Sequence, residues 1–312
     1  MRNKTIVASD PLLLRLWQYQ LERFPLAGHG LMVAAFSFSA LAYSRICRGA
    51  AGFVPGWVFA GGVFMAVTLF LLVRIFDEFK DREEDAQFRP HLPVPRGLVT
   101  LAELKALGLL TAASQVLVQW WLFPSMLPFY LLVMGYLALM GKEFFIADWL
   151  KARPFFYVTS HMFIIPLVDV YASGLDWYLA GAAPPIGLAF FFVVSYFNGI
   201  VLEVGRKIRA PEAEESNTYS TMLGVRKAVL LWLAMLLVTL GAALAAAWYA
   251  GHGGWSIGML CLVFLSCAAQ GALMLQNATP ARGRRLGYAS VLWTIAMYFL
   301  LGGIPMLLKI IW

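Results

Sequence analysis

An all-α, polytopic membrane protein is the fold class that this 312-residue chain predicts. Three observations carry the prediction. Hydrophobic residues make up 61% of the chain, charged residues only 13%, and the mean hydropathy is +0.74, whereas soluble domains stay near about 45–50% apolar. Apolar runs of about 20 residues, the length a helix needs to cross a bilayer, recur about nine times. Basic residues gather in alternate connections, as they do when one set of loops stays inside a cell. This composition excludes a soluble enzyme, a disordered chain and a secreted disulfide scaffold. Cys47, Cys261 and Cys267 sit within apolar runs, so neither a disulfide framework nor a cysteine metal site is expected.

Residues 1–26 are expected to form an interfacial segment. Arg2 and Lys4 are followed by no apolar core and cleavage site before Gln18 and Gln20, so no cleaved signal peptide is expected. Over 10–24 a helix is predicted, capped by Asp10 with Pro11 in its first turn. Leu13, Leu16, Trp17 and Leu21 form its apolar face against Arg15, Gln18 and Glu22. Residues 27–312 follow as a single transmembrane domain. Its spans are predicted at 27–47, 53–76, 104–123, 126–145, 155–174, 179–202, 225–250, 255–276 and 287–311. Runs of this length exceed strands, and in a bilayer the helix satisfies its own backbone polar groups.

With the N-terminus on the cytoplasmic side, 21 of the 24 Lys and Arg residues, Arg2 and Lys4 included, fall on that side. Only Arg45, Arg48 and Lys309 fall on the other. An integral protein of a bacterial-type cytoplasmic membrane, N-terminus inside, is the expectation. Anionic headgroups and anionic substrates explain the net charge of +7, so no nucleic-acid partner is needed.

Two loops hold the residues for chemistry. After the second span, six of the 17 acidic residues fall between Asp77 and Asp85: Asp77, Glu78, Asp81, Glu83, Glu84 and Asp85. Asp77, Asp81 and Asp85 are spaced i, i+4, i+8 and share one face if the helix continues through them. Like charges so placed repel unless cations lie between them, and such oxygen ligands suit Mg²⁺ bridging to phosphate. The competing reading is a solvated helix end paired with Lys80 and Arg82. The chain continues as Arg89-Pro90-His91-Leu92-Pro93-Val94-Pro95-Arg96-Gly97, whose prolines should stop the helix and extend the backbone. Arg89 there is matched to phosphate oxygens by its planar guanidinium.

The second loop follows the sixth span, as Asn198 through Glu203, Arg206, Lys207 and Arg209 and on to Glu212 and Asn217. Glu203 and Lys207 share a helix face beside Arg206, with Asn198 about a turn and a half deeper. One metal or water ligand beside several cations is one reading; ordinary inside-positive charge with an i, i+4 ion pair is the other. Within the fifth span His161 and Asp169 are ionisable groups at membrane depth, a functional signal set against a packing histidine and a wetted aspartate near the far interface.

At these residues the chain resembles the UbiA superfamily of intramembrane prenyltransferases. That family has an NDxxDxxxD run after its second helix and then a segment like RPxRPxPSG. Asp77, Glu78, Asp81 and Asp85 fall on the first; Arg89-Pro90, Pro93, Pro95 and Gly97 fall on the second. Arg23-Phe24-Pro25 is similar to an Arg/Pro region before the family's first helix, and Lys151-Ala152-Arg153 to a basic pair before its fifth. Leu92 stands where the family has Arg and Arg96 where it has Ser. Glu203-x-x-x-Lys207 stands where it has DxxxD, and lysine cannot bind Mg²⁺.

The resemblance implies about nine helices around a central cavity with a cytoplasmic-side active site. It implies Mg²⁺-dependent transfer of an isoprenoid group from an allylic diphosphate to a lipophilic acceptor, possible for aromatic acceptors too. By that resemblance Asp77, Glu78, Asp81, Asp85 and Glu203 are metal ligands, and Asp77, Asp81, Asp85, Glu203 and Lys207 the catalytic set. Arg89, Lys151, Arg153, Arg206 and Asn198 are diphosphate contacts. The departures keep open a membrane terpene cyclase, which ionises the diphosphate without an acceptor, and behind it a transporter or non-catalytic membrane protein.

Overall fold

The computed structural model describes residues 6–211 and 218–311. Arg2, Lys4, Glu212 and Asn217 lie outside the described residues. Among the described residues the regular structure is helical throughout. In order, α1 covers Leu12–Arg23, α2 Leu31–Cys47, α3 Gly56–Lys80, α4 Arg82–Phe88 and α5 Leu101–Leu122. Then come α6 (Leu127–Gly141), α7 (Ala147–Lys151), α8 (Pro154–Met162), α9 (Ile164–Trp177) and α10 (Gly187–Arg206). The last five are α11 (Tyr219–Leu223), α12 (Val225–Tyr249), α13 (Gly254–Gln276), α14 (Pro280–Tyr298) and α15 (Ile304–Ile311). Nine helical stretches among the described residues are long and apolar enough to cross a membrane, matching the nine expected spans.

Their ends differ from expectation where turn chemistry intervenes. Asp10 does not cap α1: its carboxylate accepts from the Val7 N–H at 2.8 Å, and the helix starts one residue after Pro11. The sixth span starts at Gly187, not near 179, because Gly181 (φ +64°) and the Pro184-Pro185 pair occupy a turn. The ninth begins at Pro280, where the Thr279 side chain accepts from the Arg282 N–H. The fifth is interrupted at Phe163, three residues before Pro166, the distance at which a proline disturbs the preceding turn.

The chain forms two compact units. The first gathers the chain through Ala34 together with Trp57–Phe145. Its core joins Tyr19 of α1 to Ile75, Leu98, Val99 and Leu104. A capping box starts α5: Thr100 Oγ1 accepts from the Glu103 N–H, and Glu103 accepts from the Thr100 N–H. Glu103 also takes Arg15 at 2.6 Å, which ties α1 to α5. Gly61 of α3 faces the Phe123 ring so closely that a Cβ would displace it.

The second unit comprises Ala35–Gly56 and the chain from Ile146 onward. There α10 packs against α9, α12 and α14. Gly205 of α10 leaves no room for a Cβ beside Ser290 and Trp232, whose indole N–H donates to Ser290 Oγ at 2.9 Å. Arg45 and Arg48, two of the basic residues outside the main set, have a structural task. Both pair with the fully buried Asp176, at 2.8 and 2.7 Å, and Ser44 donates to the same carboxylate at 2.7 Å. Asp176→Asn is expected to destabilise the protein by about 2–3 kcal/mol, because two guanidinium groups lose a charged partner. Thermal unfolding in detergent measures it; an unchanged midpoint would show the cluster to be idle.

Candidate functional site

The acidic run is not one continuous helix. α3 ends at Lys80 and α4 begins at Arg82, with Asp81 at the junction (φ −92°, ψ 10°). Backbone bonds still step from Asp81 to Asp77 and from Asp85 to Asp81, both at 2.8 Å, so the chain kinks without opening. Cations then divide the carboxylates. Glu78, 2% exposed, accepts from Arg23 Nε at 2.6 Å and from Arg74 at 2.9 Å, with the Tyr19 hydroxyl at 3.5 Å. Asp85, 3% exposed, holds Arg89 at 2.9 Å and Arg23 at 3.5 Å. One arginine from α1 thus clamps two members of the run.

The remaining four differ. Glu83 lies 3.9 Å from Arg82 and Glu84 3.9 Å from Arg89, which is the solvated pairing that charge runs usually adopt. Asp77 is 3.5 Å from Lys80 and 3.7 Å from Arg74. Asp81 alone among the six makes no ion pair within 4 Å among the described residues. Burial, reinforced by Asp77, Glu84 and Asp85 and opposed by Lys80, pushes its carboxyl up to about 6.

A stability consequence follows for the protein without divalent cations. The folded carboxyl binds its proton more tightly than the unfolded one, whose pKa is near 3.8. Stability therefore falls as pH rises from about 4 to about 6 and levels off above. Asp81→Asn is expected to equal the wild type near pH 4 and to exceed it by about 1–2 kcal/mol at pH 7.5. Thermal unfolding at the two pH values in chelator tests this; a variant less stable at pH 7.5 would contradict it.

The proline segment is a compact set of turns, not the extended stretch expected. Leu92, Arg96 and Gly97 donate backbone bonds to Arg89, Leu92 and Val94 at 3.1, 3.0 and 3.0 Å, and Gly97 takes φ +76° to close the last turn. Turn geometry satisfies the proline φ restriction as well as an extended chain does. Arg96 is spent on Glu22, at 2.7 Å, and each group holds the other in its charged form.

A residue that sequence reasoning missed completes this side of the unit. Glu143, 5% exposed, lies 3.5 Å from Lys80. It begins three consecutive non-glycine residues in left-handed backbone: Glu143 (φ 49°), Phe144 (φ 52°) and Phe145 (φ 60°). Such a conformation is strained in each residue, and runs of it concentrate at functional sites.

In the second unit Glu203 accepts from Lys207 at 2.6 Å and from Arg206 at 2.7 Å, the i, i+4 pairing expected. Lys207 and Arg206 remain partly exposed beyond it. Lys151 and Arg153 are exposed, and Arg153 stacks 4.5 Å over the Trp149 ring. Asn198 is fully buried, which separates it from these exposed cations. His161 is buried and stacked 4.1 Å from the Tyr157 ring, with Nδ1 2.9 Å from the Tyr157 carbonyl. Asp169, considered as a wetted group, is 0% exposed.

Among the described residues no three His, Cys, Asp or Glu side chains form a ready metal cage. Mg²⁺ is commonly held by one or two carboxylates, with substrate phosphates and water completing its shell. Asp77 beside the unpaired Asp81 fits that mode; Glu78 and Asp85 are occupied by arginines.

Nine apolar helical spans among the described residues define an integral membrane protein. The UbiA prenyltransferase family model matches residues 35–295, and the chain belongs to that family. A solved structure described as that of digeranylgeranylglyceryl phosphate synthase in membranes is similar in fold. Its TM-score is 0.65 at 12% identity, with 94% of this chain and 99% of that chain covered. Among curated proteins none matches.

Proposed function

We propose that the chain ionises an allylic isoprenoid diphosphate and transfers the isoprenoid to a lipophilic acceptor within the membrane. The observation that carries this reading is Asp81: a half-buried carboxylate, crowded by Asp77, Glu84 and Asp85, that makes no ion pair within 4 Å among the described residues. Asp77 and Asp81 would hold Mg²⁺, which when bound neutralises charge developing on the departing diphosphate. Glu78 and Asp85 serve by fixing the α3–α4 junction through Arg23, and so keep Asp77 and Asp81 in register. Arg89, fixed by Asp85 and partly exposed, is a proposed phosphate contact.

In the second unit Glu203 acts by orienting Arg206 and Lys207, two cations suited to phosphate oxygens, in place of a metal ligand. Lys151 and Arg153 are proposed phosphate contacts on charge and exposure alone. The abundant aromatic side chains keep the allylic cation from water and stabilise it through their ring faces. The excess of basic residues on one set of connections supports a cytoplasmic N-terminus.

Purified protein incubated with Mg²⁺ and isoprenoid diphosphates of several lengths tests the reading, with and without membrane extract. Product formed only with extract supports transfer. A hydrocarbon or terpene alcohol formed without extract selects the cyclase, and no consumption of any diphosphate removes both.

A further inference from the structure

Lys80 ends α3 inside the acidic run, and the proposed reaction gives it no part. Its ammonium lies 3.5 Å from Asp77 on its own helix and 3.5 Å from Glu143 on the turn after α6. It also favours the charged form of Asp81. One ammonium is thus shared by three carboxylates, all within the first unit. Gly141 permits the contact. A Cβ there would stand 3.1 Å from the Phe76 ring, one turn before Lys80, so the end of α6 lies close against the end of α3.

Glu143 is costly to place. It is buried, and Glu143, Phe144 and Phe145 all take left-handed backbone, a conformation disfavoured in each of them. The Phe144 ring sits edge-on to Tyr136 of α6, with 5.4 Å between centroids, which holds the turn. Strain of this kind persists where the surroundings over-determine it, and it gathers at working sites. The same geometry decides where the ammonium rests. Both carboxylates stand at 3.5 Å, but the Asp77 side chain is 30% exposed and that of Glu143 only 7%. Water screens the first pair more than the second, so Glu143 is the stronger hold.

We propose that Glu143 is a positioning residue for divalent-cation binding: it keeps the Lys80 ammonium from settling between Asp77 and Asp81, and so leaves both carboxylates open. The proposal rests on the reading of Asp77 and Asp81 as cation ligands. In the unloaded protein Lys80 moderates the repulsion between these carboxylates. In the loaded protein Lys80 releases Asp77 and stays with Glu143, so neither is left without a charged partner. Once Glu143 loses its charge, Lys80 settles on Asp77 and Asp81 and competes with the cation for them.

Mn²⁺ titrated into the purified full chain, followed by the paramagnetic resonance signal of the free ion, tests this without turnover. Glu143→Gln is expected to weaken Mn²⁺ binding by about tenfold or more. Adding Lys80→Met to Glu143→Gln is expected to restore affinity to within about threefold of wild type, because the competing ammonium leaves with its partner. Glu83→Gln removes the same charge from an exposed position on α4 and is expected to stay within about twofold. Wild-type affinity in Glu143→Gln overturns the proposal. A double variant as weak as Glu143→Gln overturns it too, since Glu143 would then be a ligand itself and not a holder of Lys80. Should Glu143→Gln fail to fold, Lys80→Met alone reads the competition: it is expected to tighten Mn²⁺ binding about threefold or more, and unchanged affinity overturns the proposal. A wild type that binds no Mn²⁺ refutes the reading of Asp77 and Asp81 and this proposal with it. Wild-type binding that Glu143→Gln leaves unchanged refutes this proposal alone.

Discussion

Asp81→Ala is expected to lower diphosphate release by at least about 100-fold, with membrane insertion and thermal stability retained. The two halves of that expectation come from the same geometry. Asp81 carries a partly desolvated charge with no ion pair within 4 Å among the described residues, so its removal takes away a cost of folding rather than a support. What it would take from the proposed reaction is a ligand for the cation that would neutralise the departing diphosphate. Pyrophosphate release assayed at saturating Mg²⁺ measures the loss, and a thermal scan of the same preparation measures stability. Activity within threefold of wild type would count against the assignment of Asp81. So would a collapse of stability, because it would make Asp81 a structural residue.

Arg23→Ala is expected to do the reverse and damage the fold first. Glu78 and Asp85 would be left as buried carboxylates, Glu78 with Arg74 and Asp85 with Arg89 as its remaining cation. Removing one partner of a buried ion pair costs about 3–5 kcal/mol. Arg23 holds carboxylates on both sides of Asp81, so pyrophosphate release is expected to fall with stability. Arg23→Lys recovers part of the stability, since one ammonium cannot span both carboxylates as a guanidinium does. Thermal midpoints of the three proteins order them wild type, Arg23→Lys, Arg23→Ala. An Arg23→Ala protein as stable as wild type would dissolve the clamp.

Much of this architecture was open to a reading of the residues alone, and the reasons for success and failure are physical. Spans announce themselves because about twenty apolar residues in a row are too long for a strand and match the thickness of a bilayer. Their ends were misplaced where Pro184-Pro185, Thr279 and Gly181 impose local geometry that an average over a window cannot register. The acidic run stood out as a composition anomaly, but its division into clamped and available members did not. That division is made by Arg23, 55 residues before Glu78, through contacts that no local spacing encodes. Glu143 carried no signal because its left-handed backbone falls on a residue type that gives no warning of it, unlike glycine. Asp169 and Asn198 were each conspicuous, yet their complete burial belongs to packing.

Release of pyrophosphate from geranylgeranyl diphosphate, set against release from its fully saturated counterpart, addresses the central claim most directly. An ionisation that leaves a resonance-stabilised allylic cation requires the double bond beside the departing oxygen. The account predicts Mg²⁺-dependent pyrophosphate from the unsaturated compound, none above background from the saturated one, and none from either after Asp81→Ala. Equal release from both compounds would reveal simple hydrolysis at phosphorus and contradict it.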